Sequence, residues 1–275
     1  MSSTIAFQDP HFNTFAGHHY SYHGQCDLIL MECPTFRSGL GLTIHIRTTR
    51  IDSLMASYSY ISEAAVRLGD NVLQILSDGQ LLVNGIQESI DIDPDSNEAF
   101  VAVFQGLSLK KQMTGKKNMI VAYDLDLGMD NAIQIRANLK TNMLFVDVVG
   151  TFPNSVGLLG YTDARGLGRG LFSRDGLRDL EGQWNTLGEE WQVGGYETDQ
   201  KLFLESRSPQ YPDGCLYTDR NIERKKNLRR RLMDELSIGA VTKACANVPS
   251  AKKDFCIMDV MVTGDLDLSA DPFYQ

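Results

Sequence analysis

Gln8-Asp9-Pro10-His11-Phe12-Asn13-Thr14-Phe15-Ala16-Gly17-His18-His19-Tyr20-Ser21-Tyr22-His23-Gly24-Gln25-Cys26-Asp27-Leu28 carries more structural information than any other stretch of this chain. Asp9-Pro10 predicts an extended or turn conformation, because proline fixes its own φ and disfavours the helical region for its predecessor. Gly17 and Gly24 suit tight hairpin turns. Between and after them aromatic and apolar residues fall on alternate positions, as half-buried strands require.

The same period continues outward to about residue 150. Leu40, Leu42, Ile44 and Ile46 alternate with Gly41, Thr43, His45 and Arg47, which predicts one buried face and one wet face. Ser77-Asp78-Gly79 and Asn84-Gly85 are hairpin turns flanking Gln80–Val83. Further strands are expected over 99–105, 118–126, 132–139 and 142–149, the last pair joined at Lys140-Thr141. Short antiparallel strands with turns at this spacing predict a sandwich or a curled sheet. Near Ser155–Gly160 the chain leaves this meander.

With 275 residues, the chain has room for one large all-β domain plus an appendage, or for two ordinary domains. A net charge of −9 argues against a nucleic-acid partner, which needs clustered Lys and Arg. No apolar run approaches the roughly 18 residues of a membrane span. Five cysteines leave at least one unpaired if all pairing is internal, and none has zinc-ligand spacing. The first residues lack the regions of a signal peptide, and no N-x-[ST] sequon occurs. An excised domain, a piece of a longer secreted protein and an intracellular protein all remain open.

The opening stretch resembles the first strands of a von Willebrand factor type D domain, which read D-P-H-[FY]-x-T-F-x-G-x-x-[YF]-x-[FY]-x-G-x-C. Asp9, Pro10, His11, Phe12, Thr14, Phe15, Gly17, Tyr20, Tyr22, Gly24 and Cys26 fit it. A second signature of that family, C-G-L-C-G-N-x-D-G followed by Gly-x-x-Trp-x-Val, is similar to the stretch from Ser155 through Asp163 to Gly188–Val193. The resemblance spans roughly residues 6–194. It implies a mainly β fold, an antiparallel sandwich-like domain over 1–206; beyond it the composition changes, and 207–275 reads as a linker plus a small α-helical, cysteine-containing appendage packed on that domain. It further implies a non-catalytic extracellular or cell-surface module for adhesion, protein binding or assembly, with protein or matrix ligands. The alternative is an intracellular lipid- or particle-associated binding protein, since type D domains also occur in large lipid-transfer proteins.

In that family, the aspartate of the opening motif and side chains of the second signature help to hold Ca²⁺. Asp9 and Asp163 carry over, whereas Tyr161, Ala164 and Arg169 depart from the pattern. The plainer reading is that both aspartates hydrogen-bond loops or pair with arginines. Family cysteines would fall near Ala6, Val156 and Leu159, so those bridges are absent. The family partner of Cys26 lies just beyond the Trp-x-Val element, which makes Cys215 its expected partner. A loop that long would contribute roughly 4 kcal/mol. Cys245–Cys256 would staple a segment too small for its own core. Cys33 is then a free thiol, either buried in a strand or available to another chain. In some relatives with glycine before the motif, the Asp-Pro bond cleaves in mild acid; here Gln8 replaces that glycine.

Other clusters read as structure. His18 and His19 fall at the expected turn, His23 flanks Gly24, and His11 belongs to the signature as a structural hydrogen-bonder. Asp91–Glu98 starts like a calcium-binding EF-hand loop but lacks its sixth-position glycine and its final glutamate. Glu223–Arg231 is a basic run, read as a solvated helical face, with a processing site or anionic-surface contact as alternatives. Leu228, Leu232, Met233 and Leu236 form an amphipathic stripe that Gly239 would end, followed by a short helix over 240–247. Glu189-Glu190 is expected on a terminal strand, and no hydrolase, zinc-protease, phosphate-loop or dinucleotide motif appears.

Overall fold

A computed structural model describes residues 2–7, 10–50, 59–93, 95–104, 107–114, 119–194, 200–203, 215–217, 238–263, 266–270 and 274. Among the described residues, fourteen of the first fifteen strands build two antiparallel sheets. In chain order they are β1 (Ser2–Phe7), β2 (His11–Asn13), β3 (His19–Ser21), β4 (Gly24–Gln25), β5 (Asp27–Cys33), β6 (Leu42–Arg50), β7 (Ser59–Leu68), β8 (Asn71–Leu76), β9 (Leu81–Val83), β10 (Ile86–Glu88), β11 (Glu98–Phe104), β12 (Leu107–Thr114), β13 (Ile120–Gly128), β14 (Asn131–Asn138) and β15 (Met143–Gly150), with β4 outside both sheets. The larger sheet runs β11-β12-β13-β14-β15-β1-β2-β3 and the smaller β10-β9-β8-β7-β6-β5. Their facing sides share one core, in which Ile44, Ile46, Ala64 and Val66 of the small sheet join Val121, Tyr123, Ile135 and Val146 of the large one. The fold is therefore mainly β and sandwich-like.

Local chemistry explains the turns. Asn84 (φ 51°) and Gly85 (φ 81°) link β9 to β10 in the left-handed geometry that a two-residue hairpin turn prefers. Gly79 (φ 80°) closes the Ser77–Gly79 turn, where Gly79 N–H donates to Leu76 O. Asn138 Oδ1 accepts the backbone N–H groups of Lys140 and Thr141, which shapes the β14–β15 turn.

Several expectations need correction. The alternation across β6 does not leave a wet face: Thr43, His45 and Arg47 are as buried as Leu42, Ile44 and Ile46. Leu202 and Phe203 cover that side by packing on Ala65 and Val72, and Phe203 lies over the Arg47 guanidinium at 4.4 Å. Arg47 also makes a bidentate contact with Asp27, at 2.6 and 2.8 Å, and approaches Glu63 at 3.6 Å. Leu40 precedes the strand and is exposed. Glu189-Glu190 lies at the end of a helix, α1 (Trp184–Glu190), and not on a strand. Gly239 sits inside α2 (Ile238–Ala244) instead of ending a helix, and α3 (Ser250–Thr263) was not foreseen. The Leu228–Leu236 stripe, the basic run and the stretch 206–214 lie outside the described residues.

The C-terminal piece rests on the outer side of the large sheet. Val241, Cys245, Val248, Cys256, Val260, Leu268 and Tyr274 form a small cluster completed by Phe145 of β15. Arg136 stacks over the same Phe145 ring at 5.2 Å.

Candidate functional site

The opening hairpin and the 155–194 segment meet along strand β5, and glycines set how closely. Gly17 (φ 81°) makes the β2–β3 turn, with its N–H donating to Thr14 O at 2.9 Å. Gly24 does not form a turn. A Cβ there would lie 2.1 Å from the Tyr22 hydroxyl, and one on Gly188 would lie 2.1 Å from the Tyr22 ring. Tyr22 is thus clamped, fully buried, between two positions that admit no side chain. The role of Gly188 was not legible in sequence, since nothing local ties it to Tyr22.

Aromatic stacking continues the contact. Phe12 and Tyr20 stack at 4.8 Å, and Tyr20 and Trp184 at 5.0 Å. The Tyr20 hydroxyl donates to Leu158 O at 2.7 Å, and its burial raises the phenol pKa well above the ordinary range. Backbone bonds zip the closing element on: Ile29 N–H donates to Trp191 O at 2.8 Å, and Val193 N–H to Asp27 O at 2.8 Å. Trp191 is buried, donates from Nε1 to Phe172 O at 3.0 Å and carries the Arg174 guanidinium over its ring.

Where the resembling family has cysteines, this chain uses backbone pairing and apolar packing. Val156 and Glu32 exchange backbone bonds at 2.9 and 2.8 Å. Leu159 is buried in the main core and donates its N–H to Leu30 O. Cys26 and Cys215 are bridged, with Cα atoms 4.7 Å apart, and a short strand β16 (Leu216–Tyr217) pairs with β4 beside the bridge. Cys245 and Cys256 are also bridged. Cys33 is buried and unbridged, its Sγ 3.3 Å from Pro153 O, and burial raises its thiol pKa.

Asp163 and Asp9 are not brought together within the described residues, because Asp9 lies outside them. Asp163 Oδ1 accepts the N–H groups of Arg165 and Leu167, at 2.8 and 3.0 Å, and Oδ2 accepts Arg165 Nε and Nη2 at 3.3 and 3.2 Å. The Leu167 N–H, followed by the Arg165 contacts, holds its carboxyl below the ordinary value. Four donors occupy a carboxylate with about four lone-pair sites, whereas calcium needs six to eight oxygens. Tyr161, at a family ligand position, instead gives its hydroxyl to the carbonyls of Ser173 and Arg174. Among the described residues no group of three or more His, Cys, Asp or Glu side chains is arranged to hold a metal. The donors described at this loop do not fit a calcium ion.

His18 lies 3.0 Å from Glu181, at the surface. His11 is buried, with Nδ1 2.6 Å from Ser21 Oγ and Nε2 3.8 Å from Asp259 Oδ1 on α3. Tyr274 donates its hydroxyl to the same carboxylate. This polar link between the opening motif and the C-terminal piece left no trace in the sequence pattern, because its members are some 250 residues apart.

No helix among the described residues is long and apolar enough to cross a membrane. A family model for the von Willebrand factor type D domain matches residues 5–164. That is more than half of the chain, and it stops short of the Trp191 element and of the C-terminal piece that complete the packing.

Proposed function

This chain belongs to the von Willebrand factor type D family, and on that premise we propose that it is a non-catalytic binding module working in adhesion or assembly outside the cell. Type D domains are generally extracellular modules of adhesion and assembly, and they mediate protein interactions. The observation that carries the reading is the clamped junction of Tyr22, Gly24 and Gly188 beside the Cys26–Cys215 bridge. It ties the opening hairpin to the 155–194 segment, and loops mounted on a rigid frame are suited to recognition. A bridge in this position also suits an oxidising compartment. Neither a metal nor a catalytic step enters this reading.

The test is a solid-phase array of purified extracellular-matrix proteins probed with the full chain, before and after reduction. Saturable binding lost on reduction is expected. Absence of binding across the array, together with lipid that co-purifies with the chain, would favour the particle-associated alternative.

A further inference from the structure

The chain between Val193 and Cys215 leaves the body and returns to it at neighbouring points. Val193 N–H donates to Asp27 O at 2.8 Å. Cys215 is bridged to Cys26, and its N–H donates to Gln192 Oε1 at 3.1 Å. Between these anchors, residues 200–203 cross the outer face of the small sheet as a strap. Leu202 and Phe203 pack on Ala65 and Val72 in a cluster apart from the sandwich core. Gln200 accepts from Arg67 Nη1, and Lys201 is exposed.

The face under the strap is polar. His45 and Gln74, the cross-strand partners of Ala65, are buried, as are Arg47 and Glu63 in the adjoining pair. Gln74 Nε2 donates to Glu63 Oε2 at 2.8 Å, and Phe203 lies over the Arg47 guanidinium. Such groups regain water when the strap lifts, so opening here costs less than exposing an apolar core. Few apolar contacts hold the strap, and a covalent bond fixes its foot.

That bond is asymmetric. Cys26 is buried and Cys215 is partly exposed, so a thiolate from solvent meets Cys215 Sγ first. The Tyr22 hydroxyl, fixed by the Gly24 and Gly188 clamp, lies 3.4 Å from Cys26 Sγ. A bridged sulfur carries no proton, so the hydroxyl is the donor. A donor at that point stabilises the sulfur as it departs, and a stabilised thiolate leaves faster.

We propose that Cys26–Cys215 is a redox-sensitive clip, and that its reduction by a dithiol releases the strap while the sandwich stays folded. One thiolate of the reductant attacks Cys215 Sγ, the Cys26–Cys215 bond breaks, and Cys26 leaves and takes up a proton. The second thiolate of the reductant then displaces Cys215, which also takes up a proton. Two electrons and two protons have passed to the protein, and the reductant has become a disulfide. The release bares His45, Arg47, Glu63 and Gln74. The inference goes beyond the binding role above and does not depend on a matrix ligand.

The experiment treats the full chain with increasing dithiothreitol, traps thiols with iodoacetamide and follows each bridge by peptide mass spectrometry. Brief trypsin digestion reads the Lys201–Leu202 cut, and diethyl pyrocarbonate labelling reads His45. Loss of the Cys26–Cys215 bridge is expected to raise both about tenfold, with amide exchange in β13–β15 unchanged. Tyr22→Phe keeps the ring and is expected to slow reduction of that bridge about threefold or more, with Cys245–Cys256 unaffected. A cut and a label that do not rise as the bridge is lost, quickened exchange across β13–β15, or equal reduction rates for wild type and Tyr22→Phe would each overturn it.

Discussion

The sandwich body and the C-terminal piece bury apolar surface by opposite means. In the body, two sheets supply a common core, and the Cys26–Cys215 bridge closes a separation of 189 residues over it. The C-terminal piece has few buried side chains, a bridge spanning only 11 residues, and a Phe145 ring borrowed from β15. Neither bridge crosses between them. The body is thus held by topology and a covalent clip, and the C-terminal piece by packing and by polar contacts that include the buried Asp259 link to His11 and Tyr274. That difference predicts two levels of stability in one chain.

The sharpest way to break this contrast is to remove the bridges separately. Cys26→Ser with Cys215→Ser is expected to cost about 5 kcal/mol in urea unfolding, whereas Cys245→Ser with Cys256→Ser costs about 3 kcal/mol or less, following the logarithm of loop length. A larger loss from the short bridge would reverse the comparison. Next comes Gly188→Ala, which places a Cβ into the Tyr22 ring. It should lower stability by about 2–3 kcal/mol and expose Tyr22 to solvent, read by near-ultraviolet circular dichroism.

Asp259→Leu removes the acceptor of Tyr274 and the carboxylate facing His11. A loss of about 2 kcal/mol is expected. Hydrogen exchange should quicken over 238–263 and stay unchanged in β5–β7; uniform quickening would show that body and C-terminal piece melt together. The smallest effect is at the Asp163 loop. Its folded pKa lies below its ordinary value of 3.8, so its contribution is complete above that pH and disappears as the pH falls through the folded value. Asp163→Asn should therefore lower the melting temperature slightly at pH 7, and the difference from the wild type should shrink as the pH falls below 3.8. With Asp163 engaged by Arg165 and Leu167, millimolar Ca²⁺ should not move the wild-type melting temperature, and a calcium-dependent rise of several degrees would contradict the geometry at that loop.

Much of the body was legible because its signals are local. The Asn84-Gly85 turn, the paired strands expected over 132–139 and 142–149 and found at Asn131–Asn138 and Met143–Gly150, and the aromatic hairpin from Phe12 to Tyr22 each follow from residues within a few positions of one another. The misread elements have long-range causes. His45 and Arg47 look like a wet face until Leu202 and Phe203 arrive to cover it. Gly188 reads only as the first residue of the Gly-x-x-Trp-x-Val element until Tyr22 fills the space where its Cβ would be. At the site, the cysteines and the tryptophan were visible in sequence, while the engagement of Asp163 by its own loop and the reach of Asp259 to His11 were not.

By itself, the sequence determined that this would be an antiparallel β body opened by an aromatic hairpin, because alternation, turn chemistry and proline act over a few residues. Only the tertiary structure decided which faces are covered, and that Tyr22 is held between two glycines with its hydroxyl beside Cys26. Those outcomes depend on close approach between segments far apart in the chain, and steric exclusion at such distances has no local sequence pattern.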